Sequence, residues 1–265
     1  MSRLARRIGD KRLLRIIRRF LQAGMMTDGV CSERHEGTPQ GGPLSPLLSN
    51  LLLDELDKEL ERRGHKFCRY ADDCNIYVRT ERAGERVMES VTRFLTRRLR
   101  LKVNTSKSAV ARPRDRKFLG FRFTGDKGAK RAIAPKALGR FRTRVRELTN
   151  RHAGESLEAI VGKLARYLRG WGGYFGFCQT PSALAQLDGW IRRRLRAIIW
   201  SQWKTFRSRK HQLIRRGVPP GRAAQVAAAS SGPWRMSTNP TVHQALNQKF
   251  FEDIGLPKLM TMLRA

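Results

Sequence analysis

The chain has 265 residues, with 55 Lys and Arg against 22 Asp and Glu, for a formal net charge of +33. Hydrophobic residues make up 40%, enough for a buried core, so wholesale disorder is set aside. A compact body this basic repels itself unless a polyanion is near, which argues against an ordinary metabolic enzyme and leaves nucleic acid or an anionic membrane as partner. In chain order, Leu4, Ile8, Leu13, Ile16, Ile17, Phe20 and Leu21 recur at helical spacing between arginines. They predict one basic amphipathic helix over 3–23, with Asp10 inside it and Gly24 as its stop. Residues 25–43 are polar, carry Gly and Pro, and read as a loop. Pro46 suits a first helical turn and Gly64 a C-terminal cap, so a helix is expected over 46–63. Short apolar runs at 65–70 and 74–79 flank Ala71-Asp72-Asp73 and predict a β-hairpin. Helical spacing returns over 82–100, followed by strand-like runs near 101–103, 108–111 and 117–123.

From Lys136 onward the pattern is helical and basic, with helices expected at about 136–151, 156–170 and 182–207. Gly217-Val218-Pro219-Pro220-Gly221 reads as a turn, 228–241 as a loop and 242–253 as a last short helix. The expected organisation is α+β over 1–132 and all-α over 133–265. The charge follows it: residues 1–100 carry a net +7 and residues 101–265 a net +26. No run of 18 apolar residues is free of charge, so no membrane span is expected. Cys31, Cys68, Cys74 and Cys178 form neither a C-x2-C pair nor a disulfide framework, which points to a reducing, cytoplasmic setting without structural zinc.

The sharpest local feature is Tyr70-Ala71-Asp72-Asp73 between two apolar strands. Adjacent carboxylates repel each other, and a divalent cation with oxygen ligands resolves that repulsion; Mg²⁺ suits it. A solvated Asp-Asp turn is the plain alternative from these residues alone. Upstream lies Gly37-Thr38-Pro39-Gln40-Gly41-Gly42-Pro43, continuing to Asn50, where glycines allow backbone to approach a nucleotide. Downstream lie Leu101-Lys102-Val103-Asn104-Thr105-Ser106-Lys107 and Phe118-Leu119-Gly120-Phe121.

In this order the segments resemble the group II intron reverse transcriptases: a TPQGGPLSPLLSN block, a YADD box, an LN-x-x-K element and an FLGF element. The resemblance continues through Tyr167-Leu168-Arg169-Gly170-Trp171-Gly172-Gly173-Tyr174-Phe175 and the stretch from Trp190 to Lys204, similar to the thumb, or maturase domain X. It implies a partial right-hand polymerase palm followed by an α-helical thumb/maturase region. It also implies Asp72 and Asp73 as Mg²⁺ ligands and Lys107 as a catalytic lysine facing the phosphates. Pro39, Gln40, Gly41 and Tyr70 would bind the incoming dNTP, and Phe118, Leu119 and Gly120 would form the primer grip. The implied partners are group II intron RNA, an RNA template with a DNA primer, and an N-terminal fingers/palm fragment. That last partner follows because the family has a further aspartate and fingers upstream of the segments matched here. The expectation is therefore the C-terminal portion of a longer mobile-element enzyme, one that assists splicing and retrohoming but does not polymerise alone. A non-catalytic maturase that only assists splicing is the alternative.

In the basic half, Arg166, Arg169, Trp171 and Tyr174 lie among further aromatics, which serve either as a helix-packing core or as stacking platforms for RNA. Arg192, Arg193, Arg194, Arg196 and Lys204 cover more than one helical face with few carboxylates near in sequence, and are expected to contact RNA phosphates.

Overall fold

In the computed structural model, which describes residues 1–23, 25–27, 30–32, 44–126, 128–151 and 154–264, the N-terminal run folds as two helices rather than one. α1 (Ser2–Ala5) stops early, and α2 (Lys11–Gln22) restarts at Asp10. The Asp10 carboxylate accepts the backbone N–H groups of Arg12 (2.7 Å) and Leu13 (3.2 Å). A short acidic side chain is worth more capping free N–H groups than inside a helix, so the apolar spacing continues across a break it does not reveal. Where a loop was expected, β1 (Met25–Thr27) and β2 (Val30–Ser32) pair antiparallel.

The chain divides into two compact units, Met1–Ala111 and Arg112–Ala265. In the first, α3 (Ser45–Arg62) carries Pro46 in its first turn. Gly64, at φ 73°, ends it: the His65 N–H donates to the Leu60 carbonyl and the Gly64 N–H to that of Glu61, the Schellman pattern. β3 (Lys66–Tyr70) and β4 (Asp73–Tyr77) follow as a hairpin, then α4 (Glu81–Arg97), capped by Thr80. Leu53, Leu56 and Leu60 of α3 form the small core with Leu99, covered by Phe67, Cys74 and Ile76 of the hairpin and Val91, Phe94 and Leu95 of α4. The strand-like runs at 101–103 and 108–111 form no strand.

The second unit begins before the helical pattern does. β5 (Phe121–Phe123) and β6 (Arg131–Ile133) form a hairpin tied to the helices that follow: the Arg131 N–H donates to the Gln179 side chain at 2.9 Å. α5 (Pro135–Leu148), α6 (Leu157–Phe175) and α7 (Pro181–Gln202) supply most of the core, with Phe141, Leu164, Leu168, Leu187, Leu195 and Trp200 essentially inaccessible. α7 ends at Gln202 rather than near 207, because the Thr205 hydroxyl accepts the Ser208 N–H and starts α8 (Phe206–Arg215). α9 (Pro220–Ala227) and α10 (Pro233–Met236) follow, the second inside the expected loop. The expected last helix splits into α11 (Pro240–Ala245) and α12 (Gln248–Asp253), with Asn247 capping the latter. A 3-10 turn, Leu259–Met262, packs against α7. Among the described residues no helix is long and apolar enough to cross a membrane.

Candidate functional site

The acidic pair sits at the tip of the β3–β4 hairpin. Tyr70 pairs with Asp73, so the turn proper is Ala71-Asp72 and Asp73 is the first residue of β4. All four residues are exposed, Tyr70 at 63%. Strand alternation turns Phe67, Arg69, Cys74 and Ile76 toward α3 and sends Tyr70 and Asp73 to the other face. Ala71 has φ 52°, the only positive φ in the turn. That position in a two-residue hairpin favours glycine, and alanine there costs about 1–2 kcal/mol.

Arg69 holds this turn from beneath. Its Nε donates to Asp57 Oδ1 of α3 at 2.7 Å and its Nη2 to the other carboxylate oxygen, a two-toothed ion pair. Its Nη1 donates to the Ala71 carbonyl at 2.8 Å and to Asn50 Oδ1 at 2.9 Å. The Asp57 hydrogen bonds raise the Arg69 pKa further above its ordinary value. Cys74, directly across from Arg69, has its thiol pushed up to about 11 by burial and stays neutral. Asn50 closes the TPQGGPLSPLLSN block, so Arg69 physically joins that block to the YADD turn. Sequence reasoning passed over Arg69 and Asp57. A signal was present, because an arginine at an inward position of an alternating strand needs a partner.

Neither Asp72 nor Asp73 has an ion pair or side-chain hydrogen bond among the described residues. Their adjacent hard oxygens fit a divalent cation in kind. No third His, Cys, Asp or Glu joins them among the described residues. Pro39, Gln40 and Gly41 lie outside the described residues. Lys107 ends an exposed turn in the same unit, where Asn104 Oδ1 accepts the Lys107 N–H (3.2 Å) and the Ser106 hydroxyl (2.7 Å).

Phe118, Leu119 and Gly120 fall in the second unit. Phe118 and Phe121 exchange both backbone hydrogen bonds at 2.9 Å, and Leu119 (φ 50°) and Gly120 (φ 80°) are both left-handed, as in a type I′ turn. The left-handed φ favours glycine at 120, and a Cβ there would also press on the Phe175 ring at 3.1 Å. Tyr174 donates its hydroxyl to the Leu119 carbonyl at 2.8 Å while its ring stays half exposed.

The basic residues divide. Arg166, Arg169 and Lys204 are exposed. Trp171 is packed between Phe141 and Phe175, at centroid distances of 4.3 and 4.6 Å, half-buried against the core. Of the α7 arginines, Arg192, Arg193 and Arg194 are half-buried and Arg196 is buried. Arg193 lies over Trp234 at 4.1 Å, and Arg194 donates to the Thr149 hydroxyl and carbonyl at the end of α5. Arg196 is buried, donates to the Leu246 carbonyl at 2.9 Å and meets His243 Nε2 at 2.9 Å. Burial first, then Arg192, lowers the Arg196 pKa to about 10. Asp188, one turn before Arg192, is buried and accepts the Leu259 and Met260 N–H groups; burial raises its pKa despite those bonds. α7 thus fastens the C-terminal helices with side chains whose sequence pattern suggests an open basic face.

Residues 3–123 match the family model for reverse transcriptase (RNA-dependent DNA polymerase), and residues 138–217 that for the group II intron maturase-specific domain. The chain is 30% identical to Protein YkfC of Escherichia coli, over 47% of this chain and 41% of that protein. It is 43% identical to the group II intron-encoded protein LtrA of Lactococcus lactis, over 24% of this chain and 10% of that protein. It is 38% identical to an uncharacterized protein in the cob intron of Schizosaccharomyces pombe, over 24% of this chain and 8% of that protein. The chain belongs to the group II intron reverse transcriptase/maturase family. It spans less than half the length of these relatives.

Proposed function

We propose that this chain binds group II intron RNA to assist splicing and retrohoming, and contributes the YADD part of a Mg²⁺-dependent nucleotidyl-transfer site that copies RNA into DNA. The observation that carries the reading is the exposed Asp72–Asp73 pair, without an ion-pair partner among the described residues, on a hairpin inside the reverse-transcriptase match. A divalent ion bound there would supply charge stabilisation at the transferred phosphoryl group. The chain's own residues do the rest: Asp72 and Asp73 offer oxygens to the ion, and Tyr70 offers an exposed ring beside them for a primer end or incoming dNTP. Lys107 would contribute positive charge toward the phosphates, and the Phe118–Gly120 turn would support the primer strand. The finer assignment, a partial palm over 1–132 and a thumb/maturase region over 133–265, is part of this proposal.

Among the described residues the pair has no third carboxylate beside it and makes an incomplete two-ion site, so the isolated chain should bind RNA without extending a primer. Primer extension on an RNA template with Mg²⁺ tests this, and robust cDNA synthesis by the chain alone would refute it. Asp72→Asn should leave RNA affinity nearly unchanged, because it removes an ion ligand rather than a phosphate contact. A second reading is a maturase that assists splicing without catalysis, in keeping with no third carboxylate joining the pair among the described residues. Reconstitution with a fingers/palm fragment separates the two, since only the first reading then yields cDNA, and that cDNA must vanish with Asp72→Asn.

A further inference from the structure

We propose that Arg69 is a positioning residue for the acidic turn, acting as a clamp that keeps Ala71 left-handed and so fixes the direction in which Asp72 and Asp73 point. Its functional meaning rests on the reading of those two carboxylates as divalent-ion ligands. Four facts converge. Ala71 holds a φ of 52° without being glycine, so something outside the turn must stabilise it. Its carbonyl is the atom that would swing if the φ changed sign, and that carbonyl accepts from Arg69 Nη1 at 2.8 Å. The guanidinium is itself fixed on the rigid element α3, by both oxygens of Asp57 and by Asn50. Asp72 and Asp73 receive no support of their own among the described residues. One planar fork thus ties a helix to a strained turn, a task that lysine, a point donor, cannot repeat.

The test uses the full chain with Mn²⁺ as probe, read as paramagnetic broadening of the turn amides, together with hydrogen exchange in the absence of metal. Arg69→Gln should speed amide exchange at Ala71–Asp73 about tenfold, more than at Phe67 or Ile76. It should also weaken Mn²⁺ binding about tenfold. Arg69→Lys should not restore binding. Adding Ala71→Gly to Arg69→Gln should recover most of the Mn²⁺ affinity, because glycine occupies the left-handed region without a clamp. Asn50→Ala leaves the Asp57 fork in place and should give a smaller loss in the same direction. Unchanged exchange in Arg69→Gln overturns the clamp, and so does lost Mn²⁺ affinity that Ala71→Gly does not recover. If Asp72→Asn broadens like the wild type, the ion-ligand reading fails instead. The exchange contrast then decides alone: a turn-confined rise supports the clamp and its absence overturns it.

Discussion

In the first unit Arg3, Arg7, Arg62, Arg63, Arg69 and Arg93 each meet a carboxylate, and Arg62 with Arg63 holds the Glu59 pKa down to about 2. In the second unit Arg146, Arg193, Arg194, Arg196, Arg209, Arg216 and Arg264 lie over aromatic rings, several also donating to backbone carbonyls. The difference separates two uses of one side chain. A carboxylate cancels the charge it pairs with. A ring or a carbonyl satisfies the guanidinium's geometry and leaves its charge in the field. The second unit therefore seats arginines, one of them the buried Arg196, on rings and carbonyls and still presents a strongly positive body to a polyanion.

The predictions test that contrast, largest effect first. Trp200→Ala empties a fully buried site beneath Arg209 and should destabilise the second unit by about 3–5 kcal/mol, read by chemical denaturation. Arg196→Ala should cost about 1–3 kcal/mol, since it strands the buried Leu246 carbonyl and uncovers Phe251. Arg7→Ala, which breaks an exposed carboxylate pair in the first unit, should barely register in the same assay. Equal losses would erase the distinction. Neutralising exposed Arg166 and Arg169 together should lower RNA affinity and reduce the salt slope by about 2 with no change in stability. Neutralising Arg194 should move stability as well, because it releases Thr149. An identical slope in a filter-binding series would take Arg166 and Arg169 out of the RNA surface.

The smallest effect concerns pH. Burial, then Arg196, lowers the His243 pKa below 6.5, against a weaker raising hydrogen bond with the Ser237 backbone, and Arg192 adds to the lowering. The folded state thus binds fewer protons than the unfolded one. The associated stability is present above pH 6.5 and is lost as pH falls through the lower folded value. His243→Gln should flatten the stability profile below pH 6.5. A profile unchanged by that substitution would show that α11 docks on α7 independently of this imidazole.

Much was legible beforehand. The β3–β4 hairpin, α3 with its Gly64 stop and the start of α5 were all marked by local chemistry: alternation, a proline in the first turn, a glycine beyond the last. The YADD pair was legible as an acidic turn, although its second aspartate proved to be a strand residue. The first and last helices were misjudged because apolar spacing runs on through a break. Asp10, Thr205 and Asn247 begin helices through one or two side-chain hydrogen bonds that periodicity does not register.

The sequence by itself determined the family, the acidic turn and the concentration of positive charge after residue 100, because ordered motifs and net charge are properties of the chain and need no fold. Only the tertiary structure decided which arginines remain free to meet a phosphate. Arg166 and Arg194 look alike in the sequence, yet one is exposed and the other is spent on Thr149 and Trp190. The physical reason is that the partners of Arg193, Arg194 and Arg196 on other elements lie about 40–55 residues away and include carbonyls and rings, groups every sequence contains. Arg69 is the same lesson at the site: its position in the strand is local, but the carboxylate that holds it stands on the helix α3.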